Sequence, residues 1–188
     1  MNTILLIGRP GSGKGTQAKV LAQKLGWTHL SSGDRIKEIR DSGEPYATRV
    51  RELYDAGALL PDWFADYLLE SSLLTRLNTE GIVAEGFGRT STQAAHLLEV
   101  IEWMGRDITV INLEVSEEEV TRRMLERAKT EDRPDSNAVE KIRARLQKFT
   151  DDTGPALAFF REQGLVIEIN GELSPEGVTE EIVTKLGL

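Results

Sequence analysis

The chain has no cysteine at any of its 188 positions, and it has only two histidines. The absence of cysteine excludes disulfide bonds and thiolate zinc sites, and two histidines are poor material for any other zinc site. Oxygen ligands are abundant, since 31 residues are Asp or Glu. The metal that this composition favours is therefore Mg²⁺, which binds through oxygen.

Long apolar runs and an excess of positive charge are also missing. No stretch approaches the roughly 20 apolar residues that span a bilayer. The N-terminus has no basic region and no small-residue cleavage site after its short apolar run. We therefore expect a cytoplasmic protein that does not contact a membrane. The net charge of -8 argues against a nucleic-acid binder, but a small anion in a locally basic cleft stays compatible.

Short apolar runs alternate with helical patterns along the whole chain. The runs that predict buried strands lie at 3–7, 82–84, 108–113 and 165–169, with a weaker fifth at 28–30. Strands that alternate with helices pair in parallel through right-handed crossovers. The sequence therefore predicts an α/β fold with a doubly wound parallel sheet of five strands, formed by one domain over 1–188.

Two charged intervals predict small mobile insertions at the rim of this sheet. The first covers 32–61 and the second covers 127–137. Their polar composition indicates that both face solvent.

The stretch GRPGSGKGTQ begins at Gly8, directly after the first predicted strand and before an amphipathic helix. Glycines let the backbone approach a phosphate closely, and successive N–H groups form an anion-binding nest at the helix N-terminus. Lys14 would reach the terminal phosphates of a nucleoside triphosphate. This strand–loop–helix context predicts a phosphate-binding loop of the P-loop NTPase type rather than an unliganded glycine-rich turn.

Gly15 is unusual in this loop, because a Ser or Thr usually follows the lysine and ligates Mg²⁺ directly. Here the hydroxyl comes one position later, on Thr16. A switch GTPase or a motor ATPase would lose much of its function through this change, because it would lack the direct Mg²⁺ ligand. The loop favours an enzyme that holds Mg²⁺ through nucleotide and water.

Arginines are concentrated between 122 and 145. Transfer between two nucleotides must bring two polyphosphates together, which requires converging cations. Arg123 and Arg127 lie four residues apart and share a helix face. Interleaved acidic residues also suit a solvated, salt-bridged surface, and the phosphate loop is what favours the functional interpretation. The further arginines are Arg133, Arg143 and Arg145.

Five sequence blocks in order resemble the adenylate kinases over nearly the whole chain. They are GRPGSGKGTQ, LSSGD at 30–34, EGFGRT at 85–90 with Gln93, the arginine-rich run and LVIEING. The short interval between Arg127 and Arg133 resembles the short-lid type. The resemblance implies transfer of the γ-phosphoryl group of ATP to AMP, giving two ADP, with Mg²⁺ as cofactor. It implies small nucleotides as partners, and we expect a monomer.

The resemblance also implies roles for individual residues. The catalytic residues would be Lys14, Arg89, Arg123, Arg133 and Arg145. ATP would bind Gly11, Ser12, Gly13, Lys14, Gly15, Thr16, Arg123 and Arg127. AMP would bind Ser32, Lys37, Gly57, Leu60, Gly86, Arg89, Gln93, Arg133 and Arg145. Water-bound Mg²⁺ would lie near Asp34 and Glu85. Counting residues from neighbouring motif positions leaves Arg143 as an alternative to Arg145 in the phosphate clamp. Gln93 could instead be an exposed helix residue with no role in binding.

Three residues depart from the family pattern. Lys37 replaces an arginine and loses the planar fork, and Glu85 replaces an aspartate. Gly88 replaces a proline, which would loosen the turn that aims Arg89. These changes keep two alternatives open: a kinase for UMP, CMP or another monophosphate, and a weakly active ATP-sensing protein. Gln93 argues against the first alternative, because pyrimidine-directed relatives usually have asparagine there.

Overall fold

The computed structural model describes residues 1–56, 60–130 and 138–188. The strands are β1 Thr3–Gly8, β2 Thr28–Ser31, β3 Ile82–Glu85, β4 Ile108–Glu114 and β5 Val166–Asn170. The helices are α1 Lys14–Leu25, α2 Ser32–Arg40, α3 Ala47–Asp55, α4 Asp62–Leu74, α5 Ser91–Trp103, α6 Glu117–Ala128, α7 Val139–Lys148, α8 Gly154–Glu162 and α9 Pro175–Leu186. A π-helical turn, Phe149–Thr153, joins α7 to α8.

The five strands form one parallel sheet in the order β2-β3-β1-β4-β5. Strand β1 lies between β3 and β4, so that Thr3 is opposite Ile82 on one side and Ile108 on the other. The chain passes from β1 to β2 on one side and later from β3 to β4 on the other. The predicted five-stranded α/β fold is confirmed, and the direction of winding changes next to β1.

Alternation along β1 explains why helices cover both faces of the sheet. Leu5 and Ile7 point into a cluster with residues of α4, α5 and α8. Ile4 and Leu6 point into a second cluster with residues of α1 and α9. Because both faces are apolar, the strand must be covered on each side, which a parallel sheet achieves through its crossover helices.

Local sequence signals set several helix ends. Gly26 ends α1 with a φ of 67°, a conformation that favours glycine. The Ser116 hydroxyl accepts the backbone N–H of Glu119 and begins α6 as an N-cap. Ser174 begins α9 in the same way, by accepting the N–H of Gly177.

Arg106 holds the amino-terminal edge of the sheet together, and no sequence motif marks its side chain. The residue is 5% exposed. Its Nε donates to Thr3 Oγ1 at 3.0 Å, and its guanidinium also donates to the carbonyls of Asn2, Leu77 and Glu80. Buried charge is tolerated here because several acceptors surround it.

No helix within the described ranges is both long enough and apolar enough to cross a membrane.

Candidate active site

The carboxyl ends of β1, β2 and β3 meet at one edge of the sheet, because the strands are parallel. A crevice forms at such an edge where the strand order reverses, and ligands of open α/β sheets bind there. In this chain the segments that leave these ends are the phosphate loop after β1, the start of α2 after β2 and the Gly86–Thr90 turn after β3.

The phosphate loop has the backbone that its glycines allow. Gly11 and Gly13 have φ values of 84° and 92°, a region that side chains disfavour. Gly13 begins α1 without a side-chain cap, so the first N–H groups of that helix point into the crevice. Ser12 is buried, and its hydroxyl has no hydrogen-bond partner among the described residues.

Lys14 lines the crevice. Its Nζ donates to the carbonyl of Arg9 at 3.3 Å. Burial lowers the pKa of Lys14 to about 8; the negative charge of Glu85 opposes this effect, and the positive charges of Arg89, Arg145 and Arg127 add to it. The three arginines come from three different segments, and all line the same crevice as Lys14.

Two serines at the end of β2 join the segments after β2 and β3. The Ser31 hydroxyl donates to Glu85 Oε1 at 2.7 Å and accepts the N–H of Asp34 at 3.2 Å. The Ser32 hydroxyl donates to the Gly86 carbonyl at 3.0 Å. Gly86 has a φ of 83°. A Cβ on Gly86 would lie 2.2 Å from Ser32 Oγ, so only glycine permits this approach.

Asp34 lies between two lysines on the outer side of this segment. Its carboxylate is 3.7 Å from Lys19 Nζ and 3.7 Å from Lys37 Nζ. At these distances the pairs are loose and half-exposed, so the carboxylate is available to solvent or to the waters of a bound ion.

Arg89 and Gln93 are linked at the start of α5. The backbone N–H of Arg89 donates to Gln93 Oε1 at 2.8 Å. Gln93 is 4% exposed, so the interpretation of an exposed helix glutamine is wrong. Burial lowers the pKa of the Arg89 guanidinium, and the neighbouring charge of Arg145 lowers it further.

Arg123 is held by two acceptors. Its Nε donates to Glu119 Oε1 at 2.7 Å and its guanidinium donates to the Gly171 carbonyl at 3.0 Å. Hydrogen bonds from Arg122 and then Arg123 lower the pKa of Glu119 to about 2. Since Gly171 follows β5, this contact joins α6 to the end of the sheet.

One cleft of about 510 Å³ brings these residues together. Among the predicted residues it is lined by Gly11, Gly13, Lys14, Gly15, Thr16, Ser32, Asp34, Lys37, Leu60, Glu85, Gly86, Arg89, Gln93, Arg123, Arg127 and Arg145. Ser12 is buried below the loop. Gly57 and Arg133 lie outside the described residues. Arg145 lines this cleft, whereas Arg143 is exposed on another surface beside Gln147.

Several residues that line the cleft are not predicted by the sequence patterns. Ile36, Tyr54 and Leu68 form an apolar part of the wall with Leu60. Lys148, Phe149 and Thr153 line the cleft from the π-helical turn and the residue before it. The apolar residues belong to no recognisable motif and could equally lie in a hydrophobic core. The π-helical turn depends on tertiary packing, which no local sequence pattern predicts.

Comparisons with known proteins identify relatives along the whole chain. The family model described as adenylate kinase matches residues 6–165. The chain belongs to the adenylate kinase family. It is 37% identical to the adenylate kinase of Thermus thermophilus over 186 residues, which cover 98% of this chain and 97% of that one. It is 34% identical to adenylate kinase 1 of Nostoc sp. over 188 residues, all of both chains.

Membership makes the chain a nucleotide-binding phosphotransferase, and the relatives span its whole length. The adenylate kinase of Maricaulis maris, at 36% identity over 184 residues, covers 97% of each chain. The resemblance read from five sequence blocks is therefore confirmed at the level of the family.

Proposed function

We propose that the chain transfers the γ-phosphoryl group of ATP to AMP and that the cleft holds both nucleotides with their phosphates facing each other. The observation that supports this most is that cations from separate segments, Lys14, Arg89 and Arg145, line one cleft. A single polyphosphate does not require so many cations from separate segments. Two facing polyphosphates do.

The ends of the cleft differ in chemistry, which supports one nucleotide at each. The phosphate loop with Arg123 and Arg127 suits the ATP phosphates. The other end has the apolar wall of Ile36, Tyr54 and Leu60 next to Gln93, which suits a base. Ser32, Lys37, Gly57, Leu60, Gly86, Arg89, Gln93, Arg133 and Arg145 are the proposed AMP-binding residues.

The reaction needs little covalent work from the protein. The AMP phosphate oxygen attacks the γ-phosphorus of ATP as the bond to the β-phosphate oxygen breaks, so that two ADP leave. The cations lower the repulsion between the phosphates and stabilise the charge that spreads over the transferred group. Lys14, Arg89, Arg123, Arg133 and Arg145 are the residues proposed to do this.

The cleft also fits a magnesium ion that is held mainly by nucleotide and water. Asp34 and Glu85 both line it, and the described residues contain no group of three or more side chains that would form a complete metal cage. The ion would neutralise phosphate charge near these carboxylates. The monomeric state and the cytoplasmic location expected from the sequence stay predictions.

The test is a panel of nucleoside monophosphates mixed with purified protein, ATP and Mg²⁺, with the diphosphate products quantified. We expect AMP to be the preferred acceptor. Preference for UMP or CMP would replace this proposal by the pyrimidine alternative. If no monophosphate gave a diphosphate product, only the ATP-binding alternative would remain.

Arg89→Ala tests the phosphate clamp directly. Loss of charged hydrogen bonds, worth about 1.5–3 kcal/mol, should lower kcat/KM for AMP by roughly ten- to a hundredfold, with little change in KM for ATP. The matched control is Arg143→Ala, which removes an exposed arginine outside the cleft and should leave both constants unchanged. An unchanged AMP dependence in Arg89→Ala would contradict the assignment.

A further inference from the structure

The side-chain amide of Gln93 is held by two partners of opposite kind. Its Oε1 accepts the backbone N–H of Arg89 at 2.8 Å, and its Nε2 donates to Asp62 Oδ1 at 2.9 Å. A backbone N–H can only donate and a carboxylate can only accept. The orientation of this amide therefore follows from the chemistry of its neighbours, because the flipped amide would oppose like groups at both contacts.

Asp62 is itself held in place. It is the first residue of α4, and its second oxygen accepts the hydroxyl of Thr90 at 2.9 Å. The Thr90 hydroxyl in turn accepts the backbone N–H of Gln93 at 3.2 Å and begins α5. The carboxylate is thus bound by two donors, Thr90 at the end of the turn and Gln93 in the first turn of α5, and it has little freedom to release Gln93.

Among the described residues, these contacts leave Gln93 with one N–H and one oxygen lone pair without a partner. A carboxamide has two N–H groups and two oxygen lone pairs, and the two contacts use one of each. Gln93 lines the cleft at the end proposed for the acceptor base. The remaining pair matches a 6-aminopurine, which offers an N6–H donor and an N1 acceptor. A 6-oxopurine offers the reverse, an O6 acceptor and an N1–H donor.

We propose that Asp62 is a positioning residue that determines acceptor specificity: by accepting from Gln93 Nε2, it holds the amide in the orientation that pairs with a 6-aminopurine and opposes a 6-oxopurine. This inference rests on the proposed function, in which Gln93 contacts the acceptor base. To pair with a 6-oxopurine, Gln93 must turn its oxygen toward the Asp62 carboxylate. The Gln93 and Asp62 oxygens then face each other with no donor between them, and the N–H of Arg89 loses its acceptor.

Asp62→Asn is the decisive variant, because it keeps the shape and replaces an obligate acceptor by a group that also donates. The amide oxygen of the new side chain can keep the Thr90 hydroxyl bond while its amide nitrogen faces Gln93 and favours the flipped amide. The probes are AMP and IMP, since IMP differs from AMP only at the 6-position and N1 of the base. We expect the ratio of kcat/KM for AMP over IMP to fall by about tenfold or more, as loss of one oriented polar contact does. KM for ATP should not change.

Asp66→Asn is the matched control, one turn further along α4. Asp66 pairs with His96 Nδ1 at 3.2 Å and does not line the cleft. This variant should keep the wild-type AMP-to-IMP ratio. Equilibrium binding of AMP and of IMP without ATP gives the same ratio independently of turnover. Should Asp62→Asn not fold, Asp62→Ser, whose hydroxyl donates or accepts, provides the same comparison.

An unchanged AMP-to-IMP ratio in folded Asp62 variants would overturn the inference. An equal loss for AMP and IMP would overturn it too, since that pattern indicates a purely structural role. If either result is obtained while the wild-type protein forms ADP from ATP and AMP, only the role of Asp62 is refuted and the proposed function stands. Wild-type protein that transfers nothing to AMP refutes the proposed function itself.

Discussion

At the scale of single residues, the protonation state of Lys14 depends strongly on its surroundings. Lys14 is partly buried, and Glu85 is the acidic neighbour that offsets the nearby arginines. The pKa of about 8 means that a substantial fraction of the free protein has a neutral amine in mildly alkaline solution. A bound polyphosphate supplies the missing negative charge and must raise this pKa, because it stabilises the ammonium form.

We predict that ATP affinity falls as the pH rises above about 8, by at most about tenfold per pH unit, because only protonated Lys14 binds the phosphates well. Proton uptake should accompany binding near that pH. Calorimetry in two buffers with different ionisation heats measures the uptake. Lys14→Met should abolish it, whereas Lys24→Met, on the same helix outside the cleft, should not. Equal uptake in wild type and Lys14→Met would show that another group titrates.

At the scale of elements, the turn between β3 and α5 decides where Arg89 lies. Gly88 in this turn has a φ of 61°. A Cβ on Gly88 would lie 3.3 Å from Phe160 Cζ and 3.4 Å from Leu5 Cδ2. The turn is therefore packed against the core, and the Arg89 N–H is bonded to Gln93, so replacement of the family's proline by Gly88 does not leave the turn without support.

We predict that Gly88→Ala lowers the free energy of unfolding by about 1–2 kcal/mol, because a left-handed backbone disfavours a side chain and Phe160 must shift. The KM for AMP should rise as well, since Arg89 follows directly. Urea denaturation and steady-state kinetics measure the two effects. Gly43→Ala is the control, because Gly43 is exposed and its Cβ would meet nothing within 4 Å. If the two variants were equally stable, the proposed constraint on the turn would be incorrect.

At the scale of the whole molecule, charge is separated between the cleft and the rest of the surface. The chain has a net charge of -8, yet most charged groups in the cleft are cationic. Those groups are Lys14, Lys37, Arg89, Arg123, Arg127, Arg145 and Lys148, with Asp34 and Glu85. The negative outer surface disfavours long polyanions, while the cleft still attracts a small one.

We propose that the predicted insertion 32–61 closes over this cleft only when both nucleotides are bound, because transfer that is open to water would hydrolyse ATP. Most of the other predicted insertion, 127–137, lies outside the described residues. A bisubstrate analogue with two linked nucleosides should slow hydrogen exchange in α2 and α3, and ATP alone should do so much less. Amides of α9, which packs on the opposite face of the sheet, serve as the internal reference. Exchange in α2 and α3 that is unaffected by the analogue would refute closure.

The fold and the phosphate loop follow from local sequence, whereas individual side chains of the acceptor end do not. The sequence predicts all five strands, because a short apolar run between two helical patterns is best explained as a buried strand. Counting along the chain does not separate Arg143 from Arg145. Packing separates them, since Ile142 and Leu146 enter the cluster that contains Met124 and thereby set the rotation of α7. Arg145 then lines the cleft and Arg143 does not.

The sequence by itself determined the parallel α/β sheet, the anion-binding loop at Lys14 and the family, since these depend on backbone preferences and on residues that are neighbours along the chain. The tertiary structure decided the environment of each distant residue: the burial of Gln93, its contact with Asp62 from another helix and the anchoring of Arg106. Such contacts join residues as far apart along the chain as Arg106 and Thr3. Only the folded packing brings them within hydrogen-bond distance.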